Sequence, residues 1–298
     1  PTPGEDRAGG VRGVAVVVAR REEVRGAGQK RRVGLPTYPF ARQRFWVEPQ
    51  PAQPAARGDG QKRPDPSEWL YLPAWKPTAP PQPQALSGSW LIFADGHGLG
   101  EQLALRLEQE QQDVVRVAAG QAFRAAERLY TLNPQRREDY AALLADLRAR
   151  GRAPGTIVHL WALTADDQAE VTYDAFEQAQ PLGMFSLLAL AQALGRPSGE
   201  SPARIVVVAN RLHAITAAEP LAPEKATLLG PCKVIPQEYP GVSCQSIDVV
   251  PAAGGWRAEQ LAEQLLAEIA ARTPEPAVAY RGRQRWAQSF EPAHIGPA

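Results

Sequence analysis

A chain of 298 residues, 44% hydrophobic and 22% charged, has an ordinary globular composition with room for one or two domains. Its 33 basic groups against 32 acidic ones leave a net charge of +1, which argues against a nucleic-acid or anionic-membrane surface as its main business. Cys232 and Cys244 form neither a disulfide framework nor a zinc site, and no apolar run approaches the roughly 20 residues of a membrane span, so a cytoplasmic setting is expected.

The first residue is proline, not methionine, and the chain is expected to be cut from something longer. Residues 1–32 are rich in Gly and Arg without a steady period. Residues 33–48, VGLPTYPFARQRFWVE, combine aromatic, proline and basic residues, which predicts an extended strap anchored by its aromatics. Proline, 29 in all, is densest between Pro49 and Pro83. The ring removes a backbone donor and fixes φ, so this stretch is read as extended linker.

From Trp69 the texture changes. Trp69–Trp75 and Ser89–Ala94 read as strands. Leu99–Gln111 reads as an amphipathic helix with Leu99, Leu103, Leu105 and Leu107 on a broad face. A strand at Asp113–Val117, a helix at Arg136–Arg150 stopped by Gly151, and a strand at Thr156–Trp161 follow. Asp174–Leu194 reads as one longer helix, ended by Gly195 and Pro197. Arg204–Ala209 is an apolar run suited to a strand buried on both faces. Glu224–Gln237 suggests a short helix limited by Pro236, then a strand at Val242–Val249 and a helix at Arg257–Ala271. Ala277–Phe290 alternates, as one strand or a hairpin. The alternation between Ser89 and Tyr280 predicts an α/β fold: a Rossmann-like parallel sheet with helices on both faces, preceded by an extended Pro-rich linker.

Such a fold keeps its phosphate loop where the first strand meets a helix, here Asp95-Gly96-His97-Gly98-Leu99-Gly100. GxGxxG starting at Gly96 needs glycine at the position of Glu101, and a carboxylate at that helix mouth opposes a phosphate. TGxxxGxG would want Thr and Gly where Asp95 and Gln102 stand. After the second strand, Ala118-Ala119-Gly120 supplies no acid for a ribose. Gly96, Gly98 and Gly100 are therefore read as a vestigial turn, in preference to a working cofactor loop. A reductase built on such a fold can pair a tyrosine acid with a lysine four residues on, whose ammonium lowers the phenol pKa. Position i+4 is Arg42, Trp75, Pro134, Leu144, Glu177, Ser243 and Gln284 for Tyr38, Tyr71, Tyr130, Tyr140, Tyr173, Tyr239 and Tyr280. No catalytic residue is assigned.

The remaining candidates read more simply as structure. His97, His159, His213 and His294 lack metal-ligand spacing, and His159 within TIVHLW is read as a core or sheet-edge residue. His97 is read as a surface residue in the turn. Cys232 beside Lys233 is a half-buried cysteine before it is an activated thiol. Asp166 and Asp167 follow a strand end, where ligands bind in α/β sheets, but a helix cap explains them equally. Trp69, Trp75, Trp90, Trp161 and Trp286 lie in predicted strands and serve packing, with an interface favoured for the terminal ones.

The run Leu35-Pro36-Thr37-Tyr38-Pro39-Phe40-Ala41-Arg42-Gln43-Arg44-Phe45-Trp46 resembles the LPTYPFxRxRYW signature that follows acyltransferases in modular type I polyketide synthases. The segments LPAWK from Leu72, WLIFAD from Trp90, VHLWAL from Val158, GPCKVIPQEYP from Gly230 and VAYRG from Val278 resemble the structural subdomain of the ketoreductase. That resemblance implies three regions: 1–32, the end of an acyltransferase region; 33–68, a post-acyltransferase linker; and 69–292, a truncated relative of the short-chain dehydrogenase fold. It implies that Tyr38, Phe40, Arg44, Trp46 and Trp75 pack between domains. No cofactor would sit in this chain, with NADPH in a catalytic half and phosphopantetheine on an acyl carrier protein. The partners implied are that half, the acyltransferase and the carrier protein, in a homodimeric parent. Two other readings stay open: a divergent stand-alone short-chain dehydrogenase/reductase, and a module docking a carrier protein or synthase subunit through the strap.

Overall fold

The structure, a computed structural model, describes residues 69–82, 84–165, 172–195, 203–216, 219–251 and 255–293. The chain divides into two units, Pro1–Gln61 and Lys62–Ala298, and all described residues belong to the second. The strap residues Tyr38, Phe40, Arg44 and Trp46 lie outside the described residues, as do Asp166, Asp167 and His294.

The apolar runs form the centre of a ten-stranded sheet. Its strands are β1 (Tyr71–Thr78), β2 (Ser89–Phe93), β3 (Asp113–Ala119), β4 (Arg124–Ala125), β5 (Leu129–Leu132), β6 (Thr156–His159), β7 (Ala203–Asn210), β8 (Val242–Val249), β9 (Ala277–Arg281) and β10 (Gln284–Pro292), in spatial order β1-β10-β9-β8-β7-β6-β2-β3-β5-β4. Every neighbouring pair from β5 through β9 is parallel. The edges differ from a purely parallel sheet, because β10, β1 and β4 pair antiparallel.

Strand alternation divides the core in two. Leu91, Phe93, Ile157, Ile205 and Val207 face one way, onto helices α2 (Arg137–Ala149), α4 (Ser186–Leu194) and α5 (Leu229–Glu238). Trp90, Ile92, Val158, Val206 and Val208 face the other, onto α1 (Leu99–Gln109) and α6 (Gly255–Ala271). Each fully buried Leu, Ile or Val contributes roughly 1.5–3 kcal/mol, so these two layers outweigh the surface ion pairs. Helices on both faces of the sheet are thus present. The truncation falls on the β3–β5 crossover, which carries only the two-residue strand β4 where such a connection usually holds a helix.

Several elements depart from the expected bounds. The single helix over 174–194 is three pieces: α3 (Tyr173–Gln180), a π-helical turn at Pro181–Phe185, and α4. Pro181 has no N–H to give the preceding turn, and Gly183 leaves helical geometry at φ −96°, ψ −105°. A 3₁₀ turn at Pro223–Leu228 leads into α5, which keeps Pro236 inside it. The strand expected over Thr156–Trp161 stops at His159, and Leu163 N–H closes a turn on the Leu160 carbonyl at 2.9 Å. Ala277–Phe290 is a hairpin, turned at Gly282 with φ +60°.

At the β1 edge, the Leu70 carbonyl accepts from Ala293 N–H at 2.8 Å and the Thr78 carbonyl from Gln284 Nε2 at 3.2 Å. Even-numbered residues of β1 therefore aim their backbone groups at β10, and odd-numbered ones aim away from it, where no described strand pairs. Pro73 and Pro77 fall in the odd set. Each removes a donor from the free edge and none from the sheet.

Candidate functional site

The turn between β2 and α1 is built around one carboxylate. Asp95 Oδ2 accepts from the backbone N–H of His97 at 2.9 Å and of Leu99 at 3.3 Å, and Oδ1 accepts from Gly100 N–H at 2.6 Å. Amides at a helix start have no partner within the helix and carry the positive end of its dipole, so they are the natural seat of an anion. Here the anion is the chain's own side chain. A pyrophosphate would have to displace it.

The glycines divide by need. Gly98 sits at φ +94°, in the left-handed region, as the residue before the helix. At Gly100 a Cβ would come within 2.9 Å of Ala94 Cα and 3.1 Å of Asp95 Oδ1, so only glycine lets strand and helix approach this closely. A Cβ on Gly96 meets open space. The geometry thus assigns Gly98 and Gly100 to the turn itself.

Glu101, read in the sequence as a carboxylate opposing a phosphate, lies in the first turn of α1 and is ion-paired. Its Oε2 accepts from Arg116 Nη1 on β3 at 2.7 Å. Beyond β3, the Gly120 amide donates to the Leu132 carbonyl at 2.8 Å, and a Cβ there would collide with the Thr131 methyl. Position 120, at the tip of β3, therefore has no room for a side chain beside β5.

The carboxyl ends of β6 and β7, the other place where this fold class binds ligands, hold a polar cluster that sequence reasoning missed. Lys225 is buried, and its Nζ donates to Thr164 Oγ1 at 2.7 Å and to Asn210 Oδ1. Asn210 Oδ1 also accepts from Thr164 N–H, and its Nδ2 donates to the Thr164 carbonyl, both at 3.2 Å. Alongside, Thr227 Oγ1 donates to Gln180 Oε1 at 2.8 Å, and Gln180 Nε2 to the Glu224 carbonyl at 2.9 Å. These bonds knit the loop after β6 to the end of β7 and to α3. No motif marks the group, because its members are far apart in sequence.

His159 is a core residue. Its Nε2 lies 2.9 Å from Ser186 Oγ, and its ring stacks on Phe93 with centroids 5.3 Å apart. Burial lowers its pKa to about 4, so the imidazole stays neutral. His97 is exposed. His213 packs against Trp75 with ring centroids 4.8 Å apart, and burial lowers its pKa against the pull of Asp248. Asp248 also bonds Arg281, which in turn holds Glu219 at 2.7 Å. Trp75 is half-buried in β1, Trp90 and Trp161 are core, and Trp69 is 48% exposed. Cys232 and Cys244 are both buried with free thiols, and the hydrogen bond to Cys232 together with burial holds the Cys244 thiol well above its ordinary pKa. Among the described residues no group of three or more His, Cys, Asp or Glu could hold a metal ion, and no helix is long and apolar enough to cross a membrane.

A family model described as beta-ketoacyl synthase-like, N-terminal, matches residues 88–268. Polyketide synthase GfsA from Streptomyces halstedii is 32% identical over 174 residues; the match covers 57% of this chain but only 2% of that protein's length. Among solved structures, an adenylation, ketoreductase and pseudo Asub multidomain structure of a keto acid-selecting NRPS module superposes with a TM-score of 0.66. It is 27% identical over 75% of this chain and 18% of its own. An N-terminal ketoreductase from the macrolactin assembly line gives a TM-score of 0.61 at 17% identity, over 75% of this chain and 44% of its own, a likeness of fold.

Proposed function

The chain belongs to the beta-ketoacyl synthase-like N-terminal family and carries the ketoreductase fold of polyketide synthases, and from that premise we propose that it is the structural, non-reacting half of a ketoreductase in a modular type I synthase. In this reading it braces a separate NADPH-binding half, which reduces β-ketoacyl groups carried on the phosphopantetheine of an acyl carrier protein. It binds no cofactor itself. The neighbouring acyltransferase is held by the strap through Tyr38, Phe40, Arg44 and Trp46, and Trp75 packs at a domain boundary. The parent is a cytoplasmic homodimer, and the described unit corresponds to the structural subdomain over 69–292.

The observation that carries the proposal is the Asp95 carboxylate seated on the amides of His97, Leu99 and Gly100. An internal anion in the phosphate seat both blocks and repels an external one. The tyrosine census supports the same conclusion, since no tyrosine has a lysine four residues on to lower its phenol pKa.

The test is a titration of the full 298-residue chain with NADPH, followed by nicotinamide fluorescence. No saturable binding is expected up to about millimolar cofactor, a binding free energy weaker than about −4 kcal/mol. Micromolar affinity would overturn the scaffold reading and favour a divergent stand-alone dehydrogenase.

A further inference from the structure

Away from the Asp95 turn, at the amino ends of β6, β7 and β8, lies a cavity of about 460 Å³. That is within the usual range for small-molecule sites. Its wall includes Arg204, Ser243, Cys244, Gln245, Arg272 and Glu275.

Two arginines line it, Arg204 half-buried and Arg272 exposed, and among the described residues no carboxylate is bonded to either. Arg204 Nη2 donates to Gln245 Oε1 at 2.7 Å and Nη1 to the Ile269 carbonyl, both neutral acceptors. Arg272 has no hydrogen bond or ion pair to a described residue. The nearby carboxylates are already engaged by Arg285: Glu268 at 2.7 Å and Glu275 at 3.2 Å. The local set is thus Arg204, Arg272 and Arg285 against Glu268 and Glu275, an excess of one positive charge. Burial first, and then the repulsion of the exposed Arg272, lower the pKa of Arg204 against the pull of Glu268.

The backbone shows which substitution isolates the charge. Arg272 follows the end of α6 at φ +49°, left-handed geometry that glycine adopts freely and a side chain only under strain. A glycine would serve the turn better. What arginine adds at this position is a cation on the cavity rim.

We infer that this cavity binds a small organic anion, a carboxylate or a phosphate ester, held between Arg204 and Arg272. The site goes beyond the scaffold reading, since bracing a partner domain requires no ligand here. Guanidinium matches both anions with paired hydrogen bonds, and binding would offset the excess charge.

The test measures the thermal unfolding of the full chain in sodium phosphate and in sodium succinate against sodium chloride of equal ionic strength. Both anions also stabilise proteins by exclusion from their surface, so wild type is compared with a variant under each salt. Arg272→Gly removes the cation and relieves the backbone, so it is expected to match or exceed the wild-type Tm in chloride. It should require at least tenfold more of the active anion for the same Tm rise. A response to phosphate alone identifies the phosphate ester class, and a response to succinate alone the carboxylate class. An equal rise in wild type and variant, or no rise beyond chloride in either, overturns the site. Arg272→Asn, which also tolerates left-handed backbone, gives the same comparison if the glycine variant folds poorly.

Discussion

Asp95 holds three amides with one carboxylate, and that economy makes its removal measurable. Asp95→Ala leaves those donors to water at the start of α1. Loss of a helix cap of this kind costs about 0.5–2 kcal/mol, to be read as a lower urea midpoint at unchanged m-value. An unchanged midpoint would mean that the turn is held by Gly98 and Gly100 alone. His159 shows the opposite economy, a titratable group kept from titrating. In the unfolded chain it takes up a proton near its ordinary pKa of about 6.5, whereas in the folded core it does so only near about 4. Between those values the unfolded state binds more protons. Stability is therefore complete above about pH 6.5 and is lost as pH falls toward 4, at up to about 1.4 kcal/mol per pH unit. His159→Asn should flatten that slope in urea unfolding measured across the window, and an unchanged slope would place the acid sensitivity elsewhere.

At the scale of elements, β1 shows how an edge is kept from pairing with a second copy. Pro73 and Pro77 both lie in the outward set, leaving Tyr71 and Trp75 as the outward donors within β1. Changing both prolines to valine restores a continuous ladder of donors. The double variant is expected to sediment as dimers or larger species at concentrations where the parent does not, and an unshifted profile would show that the edge is guarded by other means. Much of the element pattern was legible. Runs such as RIVVVA and SWLIF declare strands covered on both faces, and the leucines of α1 mark an amphipathic helix. The β4–β5 pair was not, because Leu129–Leu132 is short and half exposed, and its strand character comes from β3 beside it. The break at Pro181 was written in the sequence, but the strong apolar period of 174–194 conceals it. A π turn lets that period continue across the proline.

For the whole molecule, the sequence carried the fold class, and the departure of this loop from the dinucleotide patterns, further than it carried the geometry behind them. Wrong residues at Asp95, Glu101 and Gln102 told against a dinucleotide. That Asp95 folds back onto the amides, while Glu101 pairs with Arg116, is a matter of side-chain direction that spacing does not encode. The Lys225 cluster and the Arg204–Arg272 cavity were invisible for a related reason. Their members come from separate strands and crossovers, and only the winding of the sheet brings them together.

That winding also brings the two ends of the unit together. Tyr71 opens β1, Pro292 closes β10, and the two are register partners, so their Cα atoms lie about 5 Å apart. The polypeptide enters and leaves through one corner. A fold with coincident doorways behaves as a cassette: it can be spliced into a longer chain, or excised from one, while the stretches on either side keep their places. The same pairing delays completion during synthesis, because β1 emerges from the ribosome more than two hundred residues before β10, the strand it pairs with. Until β10 arrives, Pro73 and Pro77 guard only the outer edge of β1, and the edge that β10 will take stands open.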